Sequence, residues 1–345
     1  MIDLKELRES ARQVLDDIEV PGDEQALWNQ IVELGWLLVA VPEEFDGLGL
    51  GLQGACVVHA ELGRKLGTAP YLPAMLALDA ICQSQRIDRA SWLERLVGGD
   101  YVAVPLADAP LSIAQVAGAQ TLTGVATAVQ SADSASHVLV WSAGTVALVA
   151  THQRGVTVTE RPTWDCTRRL FDVAFDNVKL DPELILATAC EGEALTERLL
   201  TVRDFALAAD AVGSAGALLE MTVEYLQTRR QFGRPLAMFQ ALKHRCADLK
   251  TQIAGAEATL TDCLARYADL LDEPQAVVRG KMVRLLAGQA FSRTAEESLQ
   301  LHGGIGMASE HPCHLYLKRS LLGEHLGRGD RYERDIADSL LENVS

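Results

Sequence analysis

The sequence predicts an α+β protein of several domains: a helical N-terminal domain, a small antiparallel β domain in the middle and a C-terminal four-helix bundle. Three stretches of different hydrophobic periodicity support this prediction. Apolar residues recur every three or four positions up to about residue 98, short apolar runs follow, and helical spacing returns from about residue 190. We therefore expect domains over residues 1–98, 99–182 and 183–345.

The N-terminal domain is predicted to be helical throughout. Its first apolar face begins at Leu4 and Leu7, and Asp23 is the expected N-cap of the second helix. A glycine-rich loop, 47–51 (GLGLG), precedes a helix that is expected over about 52–66. The loop follows no predicted strand and lacks the GxGxxG spacing, so we interpret it as a turn between helices and not as a phosphate-binding loop.

The middle domain is predicted from short apolar runs that are bounded by Gly, Asp and Ser. Strands are expected at 101–104, 137–141, 145–150, 156–159 and 170–175. Two longer uncharged stretches, 109–132 and 134–153, are interrupted by glycines and polar residues. Because a membrane span needs about 20 predominantly apolar residues, we expect no membrane span in either stretch.

Long apolar repeats at three- and four-residue spacing predict the C-terminal bundle. Three of its helices are expected over about 195–229, 239–271 and 275–301. Pro274 suits the first turn of the third helix, and the glycine pair after residue 302 would end that helix. Asp330, followed by Glu333, resembles a capping box that would start a last helix.

The charge balance excludes nucleic acid as a partner. The 47 acidic and 31 basic residues give a formal net charge of −16, so the chain gains little from releasing the counterions of a phosphate backbone. The seven cysteines are scattered and form no CxxC pair, which favours reduced thiols and no metal site. Because the N-terminus lacks the basic flank and apolar run of a secretory signal, we predict a cytoplasmic protein.

An arginine-rich segment, 229–235 (RRQFGRP), ends the first long helix of the bundle. Its arginines, Arg229, Arg230 and Arg234, surround an aromatic residue, Phe232. Arginine binds phosphate bidentately and keeps its charge when buried, so the segment suits a diphosphate. The alternative is a basic helix end that complements the helix dipole, with Gly233 as the C-cap. The residues alone leave both interpretations open.

A second segment, 300–306 (QLHGGIG), follows the third long helix. Its glycines would let a ligand approach the backbone, and the amide of Gln300 can form hydrogen bonds. The alternative is an ordinary helix end with a glycine cap. His302 has no nearby acid or nucleophile with which to form a catalytic set. No serine-elbow, Walker or metal-ligand motif occurs in the sequence.

Together, these features resemble the acyl-CoA dehydrogenase family over nearly the whole chain. The strongest match covers 229–248, followed by 300–306 and 167–178. The resemblance implies FAD at a subunit interface, with the diphosphate and adenine half of the cofactor held by the bundle of the neighbouring chain. The residues that it would assign to FAD here are Arg229 at the diphosphate, Phe232 and Gln240 along the cofactor, and Gln300, Gly303 and Gly304 at the adenosine end.

The reaction of the family is the α,β-dehydrogenation of an acyl-CoA thioester, in which a glutamate removes the α-proton while the β-hydride passes to the flavin. The resemblance places this base at one of two positions, and neither holds glutamate here. One position holds Gly327, or Arg328 in a second alignment, and the other holds Arg203. The nearest carboxylates are Glu324 and Asp204, which would have to serve from a shifted position.

The flavin-ring pocket of the family also lacks a counterpart. We find neither the Thr/Ser-rich stretch nor the Trp-Ile-Thr/Ser segment, and residues 101–130 are short and alanine-rich. Some bacterial steroid-degrading acyl-CoA dehydrogenases are α2β2 heterotetramers, and the chain resembles their short, non-catalytic subunit. The resemblance therefore predicts a subunit that completes the FAD site of a longer partner, acting on a bulky acyl-CoA such as a steroid side-chain thioester. The electron acceptor would be electron-transfer flavoprotein or a similar protein.

Two alternatives remain open from the sequence. The first is a self-sufficient homotetrameric acyl-CoA dehydrogenase that uses Asp204 or Glu324 as its base. The second is a scaffold subunit that is not an enzyme and binds no flavin. Substitution at the carboxylates distinguishes the first from our prediction, and substitution of Arg229 distinguishes the second.

Overall fold

The computed structural model describes residues 3–116, 118–327 and 331–342. Its N-terminal part is helical, as predicted, and the caps show why. Asp3 and Glu6 form a capping box at the start of the first helix, and the Asp23 carboxylate accepts the N–H of Ala26 at 2.7 Å to start the second. The helices are α1 (Leu4–Asp16), α2 (Glu24–Glu33), α3 (Gly51–Arg64), α4 (Tyr71–Gln83) and α5 (Arg89–Val97).

The glycine-rich loop turns the chain from α2 towards α3, as expected. A Cβ on Gly47 would overlap the backbone of Val41, and Gly49 and Gly51 have φ of +64° and +58°. Only glycine combines this close approach with these dihedral angles at little cost. The backbone conformation of the loop therefore requires these glycines.

The middle of the chain forms two four-stranded sheets. The first sheet has the order β1-β4-β5-β8 and the second β2-β3-β7-β6. All neighbours pair antiparallel except β1 and β4, which are parallel. The strands are β1 (Val102–Ala103), β2 (Leu111–Val116), β3 (Ala119–Gln130), β4 (His137–Ser142), β5 (Thr145–Ala150), β6 (Val156–Arg161), β7 (Leu170–Lys179) and β8 (Ile185–Ala187).

The sequence analysis did not predict three of these strands. β2 and β3 pair from Leu111 with Gly124 to Val116 with Ala119 and occupy the uncharged stretch that we had examined only as a membrane span. Alanine, threonine and glutamine dominate these strands and give little apolar contrast. β8 has three residues, too few for a periodic signal, and it extends the first sheet to Ala187.

The C-terminal part is a bundle of long helices. Pro274 occupies the first turn of the third expected helix, and Gly303, with a φ of +63°, ends it. The expected cap residue Asp330 lies outside the described residues. The helices are α6 (Ala189–Thr228), α7 (Gln240–Tyr267), α8 (Pro274–His302), α9 (Cys313–His325) and α10 (Tyr332–Glu342).

Helix α6 forms the core of the molecule. Two glycines let it approach α3 closely, because a Cβ on Gly63 would overlap the backbone of Asp210 and one on Gly213 would overlap that of Ala60. By length and composition α6 could cross a membrane, yet 61% of its most apolar window is buried inside the protein. This burial is typical of a core helix.

A buried arginine joins the β domain to the bundle. Arg319 of α9, 2% exposed, donates to the carbonyl oxygens of Leu66, Gly67 and Thr167 and lies 3.3 Å from a carboxylate oxygen of Asp165. It therefore ties the segment before β7 and the turn before α4 to the bundle.

Candidate active site and cofactor site

One expected base position lies in the first half of α6. Arg203 and Asp204 are almost fully buried, with 1% and 2% of their surfaces exposed. Arg203 Nε donates to Asp204 Oδ1 at 3.0 Å, and the Tyr332 hydroxyl donates to the same oxygen at 2.6 Å. Burial is the largest single influence and lowers the pKa of Arg203, but the charge and hydrogen bond of Asp204, together with Tyr332 and Asp108, raise this pKa overall. The pair is a buried, hydrogen-bonded ion pair.

The other expected base position, Gly327, lies beside the same cluster. Its N–H donates to the carbonyl oxygen of Leu106 at 2.8 Å, and Arg203 Nη1 donates to that oxygen at 3.2 Å. Gly327 has a φ of +80°, and a Cβ built on it would overlap the Tyr332 hydroxyl. The structure therefore brings the two expected base positions together. Arg328, from the second alignment, lies outside the described residues.

The two candidate carboxylates line different clefts. Asp204 lines a cleft of about 510 Å³ that the β4–β5 turn forms with α6 and α8. Glu324 is exposed at the end of α9, accepts a hydrogen bond from Ser292 at 2.7 Å and lines a cleft of about 870 Å³. The structure does not combine them into one two-carboxylate site.

Sequence reasoning missed Tyr332, which touches both expected base positions. Burial first, and then the charge of Asp204, raise the pKa of Tyr332, so its hydroxyl stays protonated and donates. No motif marks this residue. The only sequence signal is its distance of five positions from Gly327, and in the structure a Cβ on Gly327 would overlap its hydroxyl.

The arginine-rich segment is a hairpin, and Gly233 is not the helix cap that one interpretation expected. α6 ends at Thr228, and two short strands follow, β9 (Arg230–Gln231) and β10 (Arg234–Pro235), which pair antiparallel. Phe232 and Gly233 form the turn with φ of +54° and +79°. This turn of positive φ leaves the Phe232 side chain 88% exposed.

Two side chains of the hairpin pack on the ring of Phe239, just before α7. The Arg234 guanidinium stacks over the Phe239 ring at 4.1 Å, and the Phe232 ring meets the same ring edge-on at 6.1 Å. Arg229 is exposed and has no ion pair among the described residues. The hairpin therefore presents a cation and an aromatic ring for contact with another molecule.

The remaining expected cofactor residues lie at the same end of the bundle. Gln240 is the first residue of α7, and Gln300 lies in the last turn of α8, with Gly303 and Gly304 directly after it. The Tyr225 ring of α6 stacks on the ring of His302 at 4.6 Å and so joins the ends of α6 and α8. A Cβ on Gly303 or Gly304 would meet no described atom within 4 Å. These glycines leave their backbone open to a ligand.

The bundle end lies far from the Arg203 cluster of the same chain. Arg229 follows Arg203 by 26 residues, which at 1.5 Å per helical residue is about 39 Å along α6. The two groups of candidate residues therefore do not belong to one site within a single chain.

Comparison with known proteins identifies the family. The acyl-CoA dehydrogenase N-terminal domain matches residues 4–100, and the acyl-CoA dehydrogenase C-terminal domain matches residues 191–334. The acyl-CoA dehydrogenase IpdE2 of Mycobacterium tuberculosis is 32% identical over 301 residues, which cover 87% of this chain and 81% of the relative. The chain belongs to the acyl-CoA dehydrogenase family.

Two solved structures of this family extend the comparison. The ChsE4–ChsE5 complex of Mycobacterium tuberculosis has a TM-score of 0.88 and 27% identity, covering 98% of this chain and 97% of the other. The Tcur3481–Tcur3483 steroid acyl-CoA dehydrogenase, a G363A variant, has a TM-score of 0.87 and 27% identity, covering 99% and 98%. Both are complexes of two different chains by their descriptions.

Membership of the acyl-CoA dehydrogenase family places the chain among the oxidoreductases that act on CH–CH groups of acyl-CoA, and it implies FAD as the cofactor. The donor set at the bundle end fits one half of FAD: a guanidinium for the diphosphate, an exposed ring, two amides and open glycine backbone. No group of three or more His, Cys, Asp or Glu side chains that could hold a metal ion occurs among the described residues.

Proposed function

We propose that the chain is the non-catalytic subunit of a heteromeric acyl-CoA dehydrogenase and completes the FAD site of a longer partner subunit. The contact between Gly327 and Tyr332 carries this proposal. Because a Cβ at Gly327 would overlap the Tyr332 hydroxyl, no glutamate fits at that position while Tyr332 keeps its place. The chain therefore lacks its own base for removal of the α-proton.

The carboxylates near these positions do not replace the missing base. Asp204 is already engaged by Arg203 and Tyr332 through one of its oxygens, and it is almost fully buried. A proton acceptor must come within hydrogen-bonding distance of the proton that it removes. Glu324 lines the same cleft as Gly327 and Tyr332, but it is exposed at the end of α9, where the Ser292 hydroxyl donates to its carboxylate. We therefore assign neither carboxylate the role of the base.

The bundle end would hold the diphosphate and adenosine half of FAD for the partner. Arg229 would pair with the diphosphate, Phe232 would pack on the cofactor, and Gln240 and Gln300 would donate or accept hydrogen bonds. Gly303 and Gly304 would let the adenosine approach the backbone. When bound, FAD supplies the acceptor for the β-hydride. This chain contributes binding and orientation, because the bundle end lies about 39 Å from its own Arg203.

The comparisons support the choice of partner and substrate class. Both structural relatives described above are complexes of two different chains, and one of them is a steroid acyl-CoA dehydrogenase. The proposed assembly is an α2β2 heterotetramer that acts on a bulky acyl-CoA such as a steroid side-chain thioester. It would pass electrons to electron-transfer flavoprotein or a similar acceptor, in the cytoplasm.

Flavin content tests this proposal directly. The chain is purified alone and after co-expression with each longer acyl-CoA dehydrogenase subunit of the same genome, and the flavin absorbance is measured. We expect no bound flavin in the chain alone, and one FAD per pair of unlike chains in the complex. A yellow homotetramer that dehydrogenates acyl-CoA by itself would overturn the proposal.

A self-sufficient enzyme is the second candidate, because Asp204 lines a cleft beside the β4–β5 turn. In that case Asp204 or Glu324 would be the base, and conversion of the true base to its amide would abolish turnover. The third candidate is a scaffold subunit that binds no flavin. In that case, substitution of Arg229 would leave the flavin content of the complex unchanged.

A further inference from the structure

A cavity of about 310 Å³ lies in the N-terminal part of the molecule, between α3, α4 and α6. Arg198, Val202 and Ala206 line it, and they follow one face of α6 at four-residue spacing. Glu197 and Asp204, which line the cleft beside the base position, follow the opposite face, since each residue of a helix turns by about 100°. The cavity is therefore separate from both candidate sites described above.

The exposure of the lining residues defines a mouth and a floor. Gly49, Gln83 and Asp269 are exposed and form the mouth. The inner wall is apolar and buried, with exposures of 8% or less. Its residues are Val41, Leu52, Ala55, Met75, Leu78, Cys82, Val202, Ala206, Ala268 and Leu271. The volume lies at the lower end of the range of roughly 300–1,000 Å³ for small-molecule sites.

One buried polar atom in the cavity wall has no partner. His59 of α3 lines the cavity with only 4% of its surface exposed, and its Nε2 has no hydrogen-bond partner among the described residues. Its ring packs on Tyr71, with 4.8 Å between the ring centroids. Burial lowers the pKa of His59 to about 4, so its imidazole is neutral near pH 7. Buried polar atoms are normally paired, so an imidazole without a hydrogen-bond partner in the wall of a cavity is unusual.

The charges near the mouth determine the charge of the ligand. Arg198 donates two hydrogen bonds through Nε and one through Nη2 to the Asp79 carboxylate and lies 3.6 Å from Asp272, so its charge is already compensated. Asp269 adds a further negative charge at the rim. An anion, including the phosphates of an acyl-CoA, would therefore meet carboxylates at the entrance.

We propose that this cavity binds an uncharged, mainly apolar small molecule whose single hydroxyl or carbonyl group forms a hydrogen bond with the imidazole of His59. The apolar wall takes the body of the ligand, and the imidazole orients its polar group. This site is independent of the proposed FAD half-site, so an experiment that disproves one proposal does not disprove the other.

Binding of three related probes tests the proposal on the full chain, together with any subunit that co-purifies with it. Naphthol, naphthalene and the anion naphthoate share a ring system and differ only in the polar group. Calorimetric titration is expected to show binding of naphthol, about tenfold weaker binding of naphthalene because it lacks the hydrogen bond, and no binding of naphthoate at the same concentrations. Equal affinity for naphthol and naphthalene, or binding of naphthoate, would overturn the proposal.

Three variants locate the binding site. His59→Leu is expected to remove the preference for naphthol over naphthalene, and Ala55→Leu, which fills the cavity from α3, to remove binding of both. His152→Leu, at an exposed histidine on the turn after β5, is the matched control and keeps the preference. A preference that persists in His59→Leu, or unchanged binding in Ala55→Leu, contradicts the assignment. If His59→Leu does not fold, the probe series on the unaltered chain and the binding measured with Ala55→Leu still test the proposal.

Discussion

The hydroxyl of Tyr332 lies in the space that a side chain on Gly327 would need. A Cβ on Gly327 would overlap that oxygen, and the glycine has a φ of +80° that other residues rarely adopt. The same hydroxyl donates to Asp204 at 2.6 Å. The position where we expected the base is therefore built around glycine and a buried hydrogen bond.

Substitution of Gly327 by alanine is expected to destabilise the chain. The positive φ and the overlap with Tyr332 act together, and strain of this kind costs about 1–3 kcal/mol. Urea denaturation measures the loss. Gly216→Ala is the matched control, because Gly216 lies inside α6 with open space around it and alanine favours a helix by about 0.5–1 kcal/mol. Equal stability of Gly327→Ala and the unaltered chain would contradict this packing.

The carboxylates Asp204 and Glu324 are expected to contribute little to proton abstraction. In the purified complex, Asp204→Asn and Glu324→Gln are each expected to lower turnover per folded complex by less than about tenfold, whereas loss of a general base costs about 10²–10⁴-fold. Turnover is measured with an acyl-CoA substrate after the folded fraction has been determined by circular dichroism. A loss of the larger size at either residue would make that residue the base and favour the self-sufficient enzyme.

Replacement of Arg229 by alanine is expected to weaken FAD binding by the complex about 10–100-fold, because a hydrogen bond to a charged group contributes about 1.5–3 kcal/mol. The flavin retained after gel filtration measures the effect. Arg230→Ala is the control. The Arg230 guanidinium donates to the carbonyl oxygen of Gly233 within the hairpin at 3.4 Å, so Arg230→Ala is expected to retain more flavin than Arg229→Ala does. Full flavin retention in Arg229→Ala would favour the scaffold.

The helical parts could be predicted from the sequence because their apolar residues repeat clearly. Asp23 and Pro274 also marked helix starts that the structure confirms. The β2–β3 hairpin could not be predicted, because its alanine and threonine residues bury little and give no strict alternation. Hydrophobic patterning therefore predicts elements with a strong apolar face and misses those without one.

The candidate site was only partly accessible from the sequence. The motif at 229–235 indicated Arg229 and Phe232, but not that Phe232 and Gly233 form a hairpin turn. The packing of Tyr332 against Gly327 joins two residues that share no helix or strand. A contact of this kind has no periodic signal, so it could not be predicted.

Arg319 is expected to contribute strongly to the free energy of unfolding. Arg319→Met removes the partner of three carbonyl oxygens and of Asp165, and loss of one member of a buried ion pair costs about 3–5 kcal/mol. Arg293→Met is the control, because Arg293 is 55% exposed and pairs only with Glu296 and Glu297 of its own helix among the described residues. The free energy of unfolding of both variants is measured by urea denaturation. A similar small decrease in both would show that the hydrogen bonds of Arg319 contribute little to stability.

The buried histidine of the apolar cavity predicts a pH dependence of stability. Burial lowers the pKa of His59 from 6.5 to about 4, with Asp210 opposing and Arg168 adding to the shift. Between these values the unfolded chain binds a proton that the folded chain does not, so the free energy of unfolding rises with pH across this window. The contribution of His59 is complete above pH 6.5 and is lost as the pH falls towards 4. Its full size is up to about 3 kcal/mol.

His59→Leu isolates this contribution. Urea denaturation at a series of pH values within the window is expected to show a smaller slope of stability against pH in this variant than in the unaltered chain. Other histidines titrate as well, so the difference between the two slopes is the measured quantity, and His152→Leu is expected to keep the original slope because that side chain is exposed. Equal slopes in all three proteins would mean that the folded chain protonates His59 as readily as the unfolded chain does, contrary to the expected effect of burial.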